Sequence, residues 1–394
     1  MRNAYDVIVI GLGAMGSATA HQLAARGKRV LGLDRFSPPH DRGSSHGETR
    51  ITRTAIGEGA QYVPFVRRSN ELIASLEQAI ALRLRVVTGG LIVSSPAKTA
   101  VNHVPRFFEN TIEVAKAFDV PHELLSAKEM RRRFPPFRVK NDEVGYYEPE
   151  AGYLRPEHLV SAQLGMARAL GADIRRGEAA LEFGEDAVGP FVRTSSGTHR
   201  AERVVLSAGA WIPEMLGGAL ASRLVVRRQV LYWFEVDDDG PFHPKKFPVF
   251  FWELQGRKQG IYGFPAIGGR YNGIKVATEQ VAVSTTPDGL DREVSDSEKE
   301  EMYRERVEPY LQGVRARCLK AQACLYTVSP DAGFVIDRHP EYASVTVVSA
   351  CSGHGFKHSP AVGEAVAQEI VDGKSVLDLS PFRLSRFKDS MASA

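Results

Sequence analysis

The chain has 394 residues, 43% of them hydrophobic and 25% charged, with a formal net charge of +3. That length can bury two cores or one large interrupted core, and so small a charge gives no ground for expecting a nucleic-acid or membrane partner. Three cysteines, Cys318, Cys324 and Cys351, are too few and too clustered for a secreted disulfide framework and lack metal-ligand spacing. No metal is expected. The N-terminus runs straight into a strand without room for a signal peptide, and no apolar run nears the roughly 18 residues of a membrane span. A reducing cytoplasm is the expected location.

Asp6-Val7-Ile8-Val9-Ile10 is a short run rich in β-branched residues, and Gly11-Leu12-Gly13-Ala14-Met15-Gly16 follows it as G-x-G-x-x-G. Ser17 to Arg26 reads as a helix of small and apolar residues ended by Gly27, and Lys28 to Leu33 as a second strand closed by Asp34. In such a unit the first glycine permits a tight turn. The second lets a pyrophosphate approach the backbone, and the third lets the helix pack on the strand. The helix N-terminus offers N–H groups and partial positive charge to phosphates. Asp34, 23 residues after Gly11, stands where a carboxylate would accept hydrogen bonds from an adenosine ribose. This order predicts a dinucleotide site without deciding between NAD and FAD; glycines serving packing alone are the plainer alternative.

Phe36 to Gly47 is rich in proline, glycine and serine and reads as an irregular loop. It runs into Glu48-Thr49-Arg50-Ile51-Thr52-Arg53, where Arg50 and Arg53 would share a face on a helical turn. With His46 they form a cationic cluster, either a solvated basic loop or a wall for an anion or a flavin. Tyr62 to Leu82 has the period of a surface helix. Val86 to Ser95 reads as a strand pair about Gly89-Gly90, Ala97 to Phe118 as another helix, and the basic run Lys128 to Phe134 as a solvated helix end. Arg155-Pro156-Glu157 opens a helix through Leu170. Arg203 to Leu206, followed by Ser207-Ala208-Gly209, is a strand ending in small residues, where backbone can approach a cofactor and the nucleotide domain returns.

Val225 to Val236 leads into a second domain whose aromatics, Tyr232 to Phe264, read mostly as sheet core with a few lining an apolar pocket. Lys275 lies among residues that look buried. A buried lysine must shed its charge or find partners, so Lys275 is a candidate catalytic group, with an exposed strand face as the alternative. Ser295 to Arg317 reads as a charged helix. Val345 to Ala350 is a buried strand feeding Cys351-Ser352-Gly353-His354-Gly355-Phe356-Lys357, a second glycine-rich turn before a helix from Pro360 to Val371. That turn would aim N–H groups and Lys357 at an anion or a polarised ring.

Five stretches in order carry a family resemblance: the N-terminal glycine unit, Gly43-Ser44-Ser45-His46-Gly47-Glu48-Thr49-Arg50, Tyr262-Gly263-Phe264-Pro265, Ala323-Cys324-Leu325-Tyr326, and Ser352-Gly353-His354-Gly355-Phe356-Lys357. Over essentially its full length the chain resembles the flavoprotein amine oxidases, the family of monomeric sarcosine oxidase and N-methyl-L-tryptophan oxidase. The tail Leu377 to Phe387 is most similar to the latter. The resemblance implies an α/β fold: a Rossmann-like FAD-binding domain of the glutathione-reductase-like, D-amino-acid-oxidase type, and a catalytic domain with a mixed β-sheet. The FAD domain is expected from residues 1–85, 150–225 and 320–394, and the catalytic domain from 86–149 and 226–319.

The resemblance also implies FAD, contacted by Gly11, Gly13, Met15, Gly16, Asp34, Arg35, Ser45, His46, Thr49, Arg50, Gly353, His354, Gly355, Phe356 and Lys357. Cys324 would join the flavin 8α carbon through a thioether. Arg53 and Lys357 would grip the substrate carboxylate, Tyr326 would line the pocket, His46 and Arg50 would flank the flavin, and Lys275 would activate dioxygen. The implied activity is oxidation of a secondary (N-methyl) amino acid to an imine with reduction of O2 to H2O2, by a monomer whose partners are the amino acid and O2. An FAD-dependent amino-acid dehydrogenase with another electron acceptor is the alternative, opposed in the sequence only by Lys275. Two departures bear on which amino acid is taken. Glu279 stands where sarcosine oxidase has a histidine, four residues after the matched lysine, and the Gly268–Gly273 turn, with Arg270-Tyr271-Asn272, is longer.

Overall fold

The computed structural model describes residues 5–100, 104–269 and 272–390. The β-branched run after Asp6 forms the strand Val7–Ile10, buried at every position, as expected of a parallel strand covered on both faces. It pairs in parallel with Val30–Asp34 on one side and Arg203–Leu206 on the other. Asp173–Arg176 and Val345–Ser349 extend the parallel set, and antiparallel Val335–Arg338 closes one edge of the six strands. The helix Ala14–Ala25 packs against Pro156–Ala169 and Ser359–Asp372. Its small residues allow the approach: a Cβ on Gly363 would stand 2.5 Å from the Ala18 carbonyl carbon.

A second sheet of eight strands begins with Val314–Val328 and Val225–Val236, antiparallel and paired from Val225↔Val328 to Val236↔Val314. Gly273–Thr278, Ile261–Phe264 and Val249–Trp252 follow in antiparallel order. Gly90–Ser94 joins Val249–Trp252 in parallel, which makes the sheet mixed, and Val144–Glu148 and Glu123–Ser126 complete it. Phe137, Phe234, Phe247, Phe250 and Trp252 are buried in the core beneath it. Among the described residues no helix is long and apolar enough to cross a membrane.

Several expected elements are corrected. The strands either side of Gly89 do not pair with each other. Arg85–Val87 joins Gly152–Leu154 and Arg50–Thr52 in a small sheet, while Gly90–Ser94 enters the large one, so the turn hands the chain between sheets. The helix expected over 97–118 is Phe107–Ala117, and residues 101–103 lie outside the described residues. The helix expected over 295–317 stops early. Asp296–Met302 is helical, one π turn covers Tyr303–Val307, Gly313 turns at φ 78, and Val314 begins a strand. The charged residues that prolonged the helical pattern, Arg315 and Arg317, are exposed on that strand. The expected boundary at 320 therefore falls inside a strand of the large sheet. We propose dividing the domains by sheet membership, with the nucleotide domain resuming after Val328.

Candidate active site

A cavity of about 600 Å³ is bounded by residues of both sheets, from Gly11, Gly13, Met15, Asp34 and Arg35 at one end to Tyr262, Lys275, Glu279, Cys324, Tyr326 and Lys357 at the other. At the first end Gly16 lies behind the wall. A Cβ there would sit 1.8 Å from the Gly11 carbonyl oxygen, so only glycine lets the helix close on the turn. At Gly13 a Cβ would meet only Ser45 Oγ, at 3.4 Å, and this position opens on the cavity. The helix has no side-chain cap at Gly13, and its first residues border the cavity, so its N-terminal dipole faces that space. Ala14 N–H donates to Ser45 Oγ at 3.1 Å. Buried Asp34 accepts from Leu12 N at 2.8 Å and Phe36 N at 2.8 Å, bracing the turn from the second strand. Arg35 is held by an ion pair with Asp288 at 2.8 Å.

At the other end the first residues after the loop are strand, Arg50–Thr52, where a helical turn was expected. Successive side chains alternate on a strand, and the two arginines diverge. Arg50 lines the cavity, donating to Thr49 O and Ser44 O at 2.9 Å each, with Nη2 3.8 Å from Cys324 Sγ. Arg53 is 4% exposed and off the main cavity wall. It bonds Glu58 Oε2 at 2.6 Å and the Ala55 carbonyl, between the rings of Phe107 and Phe251. Glu148, buried, accepts from Thr54 N at 2.6 Å and Ala55 N at 3.1 Å, fixing this corner. Neither acid was singled out in the sequence: Gly57-Glu58-Gly59 signals only a turn, and Glu148 only a strand end.

Glu58 and Lys357 both line the cavity. Lys357 Nζ donates to His354 O at 2.8 Å. Burial pushes its pKa down to about 8, with Glu58 opposing and Arg53 adding to the shift. Gly353, His354, Gly355 and Phe356 border the same space. His46 and Thr49 do not: both are buried behind the wall. Burial first, then neighbouring Arg50, push the His46 pKa down to about 3, so the imidazole is neutral and the expected three-cation cluster contains two cations.

Lys275 is 2% exposed. Its Nζ donates to Gly47 O at 2.8 Å and Thr49 O at 2.7 Å and sits 3.8 Å from the Phe264 ring centroid. Burial, then Arg50, hold its pKa well below the ordinary lysine value, while Glu157 and Glu48 oppose. Cys324 and Tyr326, two residues apart, share one face of the long strand, and both reach the cavity. Burial pushes the Cys324 thiol up. The Tyr326 and Tyr262 hydroxyls are 3.2 Å apart. Glu279 lines the wall beside Gly353, whose Cβ would meet Glu279 Oε1 at 3.2 Å. Arg270 and Tyr271 of the longer turn lie outside the described residues. Among the described residues no group of His, Cys, Asp and Glu could hold a metal ion.

A parallel nucleotide-binding sheet opening on a cavity walled by lysine, arginine and tyrosine defines a dinucleotide-dependent oxidoreductase. Residues 6–369 match the family described as FAD dependent oxidoreductase (DAO), and the chain belongs to that family. It is 42% identical over 386 residues to monomeric sarcosine oxidase of Streptomyces avermitilis, covering 97% of each chain. It is 36% identical to monomeric sarcosine oxidase of a Bacillus species, covering 98% of each, and 34% identical to N-methyl-L-tryptophan oxidase of Salmonella dublin, covering 97% of this chain and 99% of that one. Its fold superposes on NikD, an unusual amino acid oxidase of nikkomycin biosynthesis, with a TM-score of 0.83 at 24% identity, covering 97% of this chain and 98% of that one.

Proposed function

We propose that this chain is an FAD-dependent oxidase of secondary, N-methyl amino acids, yielding an imine and hydrogen peroxide. The observation that carries this is the convergence of a nucleotide-binding glycine turn with Arg50, Lys275, Cys324, Tyr326 and Lys357 on one cavity. The relatives' names support the substrate class. Amino acid and O2 would be its partners, as a monomer in the cytoplasm.

The residues present fit FAD. The uncapped helix N-terminus and the position of Gly13, where no Cβ intrudes, suit a pyrophosphate. Asp34 suits a ribose, and Cys324 and the Gly353–Phe356 turn border the opposite end. Bound FAD would take a hydride equivalent from the substrate and deliver two electrons to dioxygen. Lys357 and Arg53 would receive the substrate carboxylate in charge-assisted bonds, Arg53 by sharing or exchanging its Glu58 partner. Fixing the carboxylate orients the reacting C–H. Arg50, bordering the same space, disfavours a further positive charge, so the substrate ammonium would lose its proton in the pocket. Lys275 would place positive charge where dioxygen becomes an anion.

Two results are expected. First, kcat/KM for a carboxylate substrate falls as pH rises through about 8. The sign follows from Lys357 being a cation below its pKa and neutral above it, and kcat/KM reports the free enzyme. A Lys357→Arg variant moves this limb to higher pH; an unmoved limb removes Lys357 from the clamp. Second, acid precipitation carries the yellow colour into the pellet, and Cys324→Ser releases it to the supernatant. Colour in the wild-type supernatant excludes a covalent link.

The function is tested by peroxide release in air from sarcosine, N-methyl-L-tryptophan, other N-methyl amino acids, proline and pipecolate. Peroxide establishes the oxidase, and the rank order reports the pocket beside Glu279. Anaerobic bleaching of the flavin without peroxide in air would select the dehydrogenase alternative.

A further inference from the structure

The two carbonyls that hold Lys275 belong to a loop with an unusual backbone. Gly47 turns at φ 96 and Glu48, a non-glycine residue, at φ 68, a conformation that persists only where the surroundings impose it. Thr49 N–H closes the loop on Gly47 O at 2.8 Å. What holds it from the far side is Glu157. Its Oε1 accepts from Gly47 N at 2.6 Å and Glu48 N at 3.1 Å, and its Oε2 from Glu48 N at 3.2 Å. The Gly47–Glu48 peptide thus gives its N–H to the carboxylate and its carbonyl to the ammonium, and Thr49 O completes the cradle. Charge-assisted bonds of this sort are short and directional, and a hydrogen-bonded peptide is polarised in the sense that strengthens its carbonyl as an acceptor.

We propose that Glu157 is a positioning residue for Lys275, fixing the Gly47–Thr49 carbonyls as a cradle and keeping the ammonium charged at the cavity wall. The proposal rests on the reading of Lys275 given above and assigns Glu157 no contact with substrate or cofactor. Glu157 lies in the first turn of the helix Pro156–Ala169, where an acidic residue would otherwise be credited to the helix dipole. The bonds to a loop 110 residues earlier give it a second task. The charged and titratable groups facing Lys275 are Arg50 from the short strand, Cys324 from the long strand, Glu48 from the loop and Glu157 from the helix. Arg50 and burial disfavour the cation; Glu157 and Glu48 favour it. Glu48 is itself engaged by Lys320 at 3.4 Å and by Trp233 Nε1 at 2.9 Å, so Glu157 is the carboxylate that bonds the cradle.

The test is Glu157→Gln, which keeps the shape, removes the charge and turns an amide N–H toward a backbone donor. With 15N-labelled lysine, the side-chain resonance lost in Lys275→Met assigns Lys275 in the FAD-bound protein. Its titration midpoint is expected to fall by about one pH unit in Glu157→Gln, a tenfold change in proton affinity, and to return partway in Glu157→Asp. Reoxidation of the reduced enzyme by O2 slows by about tenfold and its alkaline limb moves to lower pH, while anaerobic reduction by substrate changes by less than about twofold. An unmoved midpoint, or equal losses in both half-reactions, overturns the proposal. If Glu157→Gln does not fold, Glu157→Asp alone decides: it must lower the midpoint relative to wild type. A Lys275→Met enzyme that reoxidises normally would remove the underlying reading, a different failure from an unmoved midpoint.

Discussion

Lys275→Met is expected to slow O2 reoxidation of the reduced enzyme by about 10²–10³-fold, the usual cost of removing a preorganised charge from a water-excluded site. The fold should survive. Of the two carbonyls released, Gly47 O still accepts from Thr49 N–H, and Thr49 O still accepts from Arg50 Nη1 at 2.9 Å. Replacing a buried charge by a thioether of similar length also removes a desolvation penalty. Anaerobic reduction by substrate should change by no more than a few-fold, because nothing in the carboxylate corner touches Lys275. Stopped-flow measurement of the two half-reactions separates the effects. Unchanged reoxidation would take the oxygen role from Lys275 and make the dehydrogenase alternative the stronger reading.

Arg53→Ala should lower kcat/KM by about 10²-fold, equivalent to roughly 3 kcal/mol of charge-assisted bonding. It should also destabilise the protein by about 3 kcal/mol, because it takes from the Glu58 carboxylate, whose side chain is 4% exposed, the guanidinium that bonds it at 2.6 Å. The double variant Arg53→Ala with Glu58→Gln separates these effects. Tm should recover, since the buried carboxylate charge is removed together with its guanidinium, while kcat/KM stays low, since the cation that meets the substrate is still missing. Recovery of both would mean that Arg53 serves to neutralise Glu58 and not to bind substrate.

The parts of this fold that were legible in the sequence are those written in local chemistry. The strand Val7–Ile10, the glycine turn, the helix from Ala14 and Asp34 declare themselves within some thirty residues, because each turn and cap needs particular residue types where it stands. The return of Arg203–Leu206 beside the first strand was legible from its small-residue ending. Burial of Lys275 followed from its apolar neighbours on Gly273–Thr278. The rest was set by distant partners. Arg50 and Arg53 obey helical spacing, but Gly152–Leu154 recruits Arg50–Thr52 into a sheet and tertiary pairing overrides local preference. Arg315 and Arg317 continue a helical charge pattern, yet the ladder to Val225–Val236 claims them. The acids that organise the site, Glu58, Glu148 and Glu157, could not be picked out, since an acid in a turn, at a strand end or in a first helical turn has an ordinary explanation in each place.

The long strand Val314–Val328 has one more consequence. Cys324 pairs with Gln229 well inside its ladder with Val225–Val236, in the sheet that does not carry the glycine turn. A thioether there would therefore fasten a molecule whose other end is held by the nucleotide sheet. FAD would act as a tether across the domain boundary, covalent at one end and held at the other by contacts that exist only in the folded nucleotide domain, so that its binding there is intramolecular and stabilises the folded state. Thermal stability would then be independent of added FAD, and cutting that single bond would make the melting temperature rise with the concentration of free FAD.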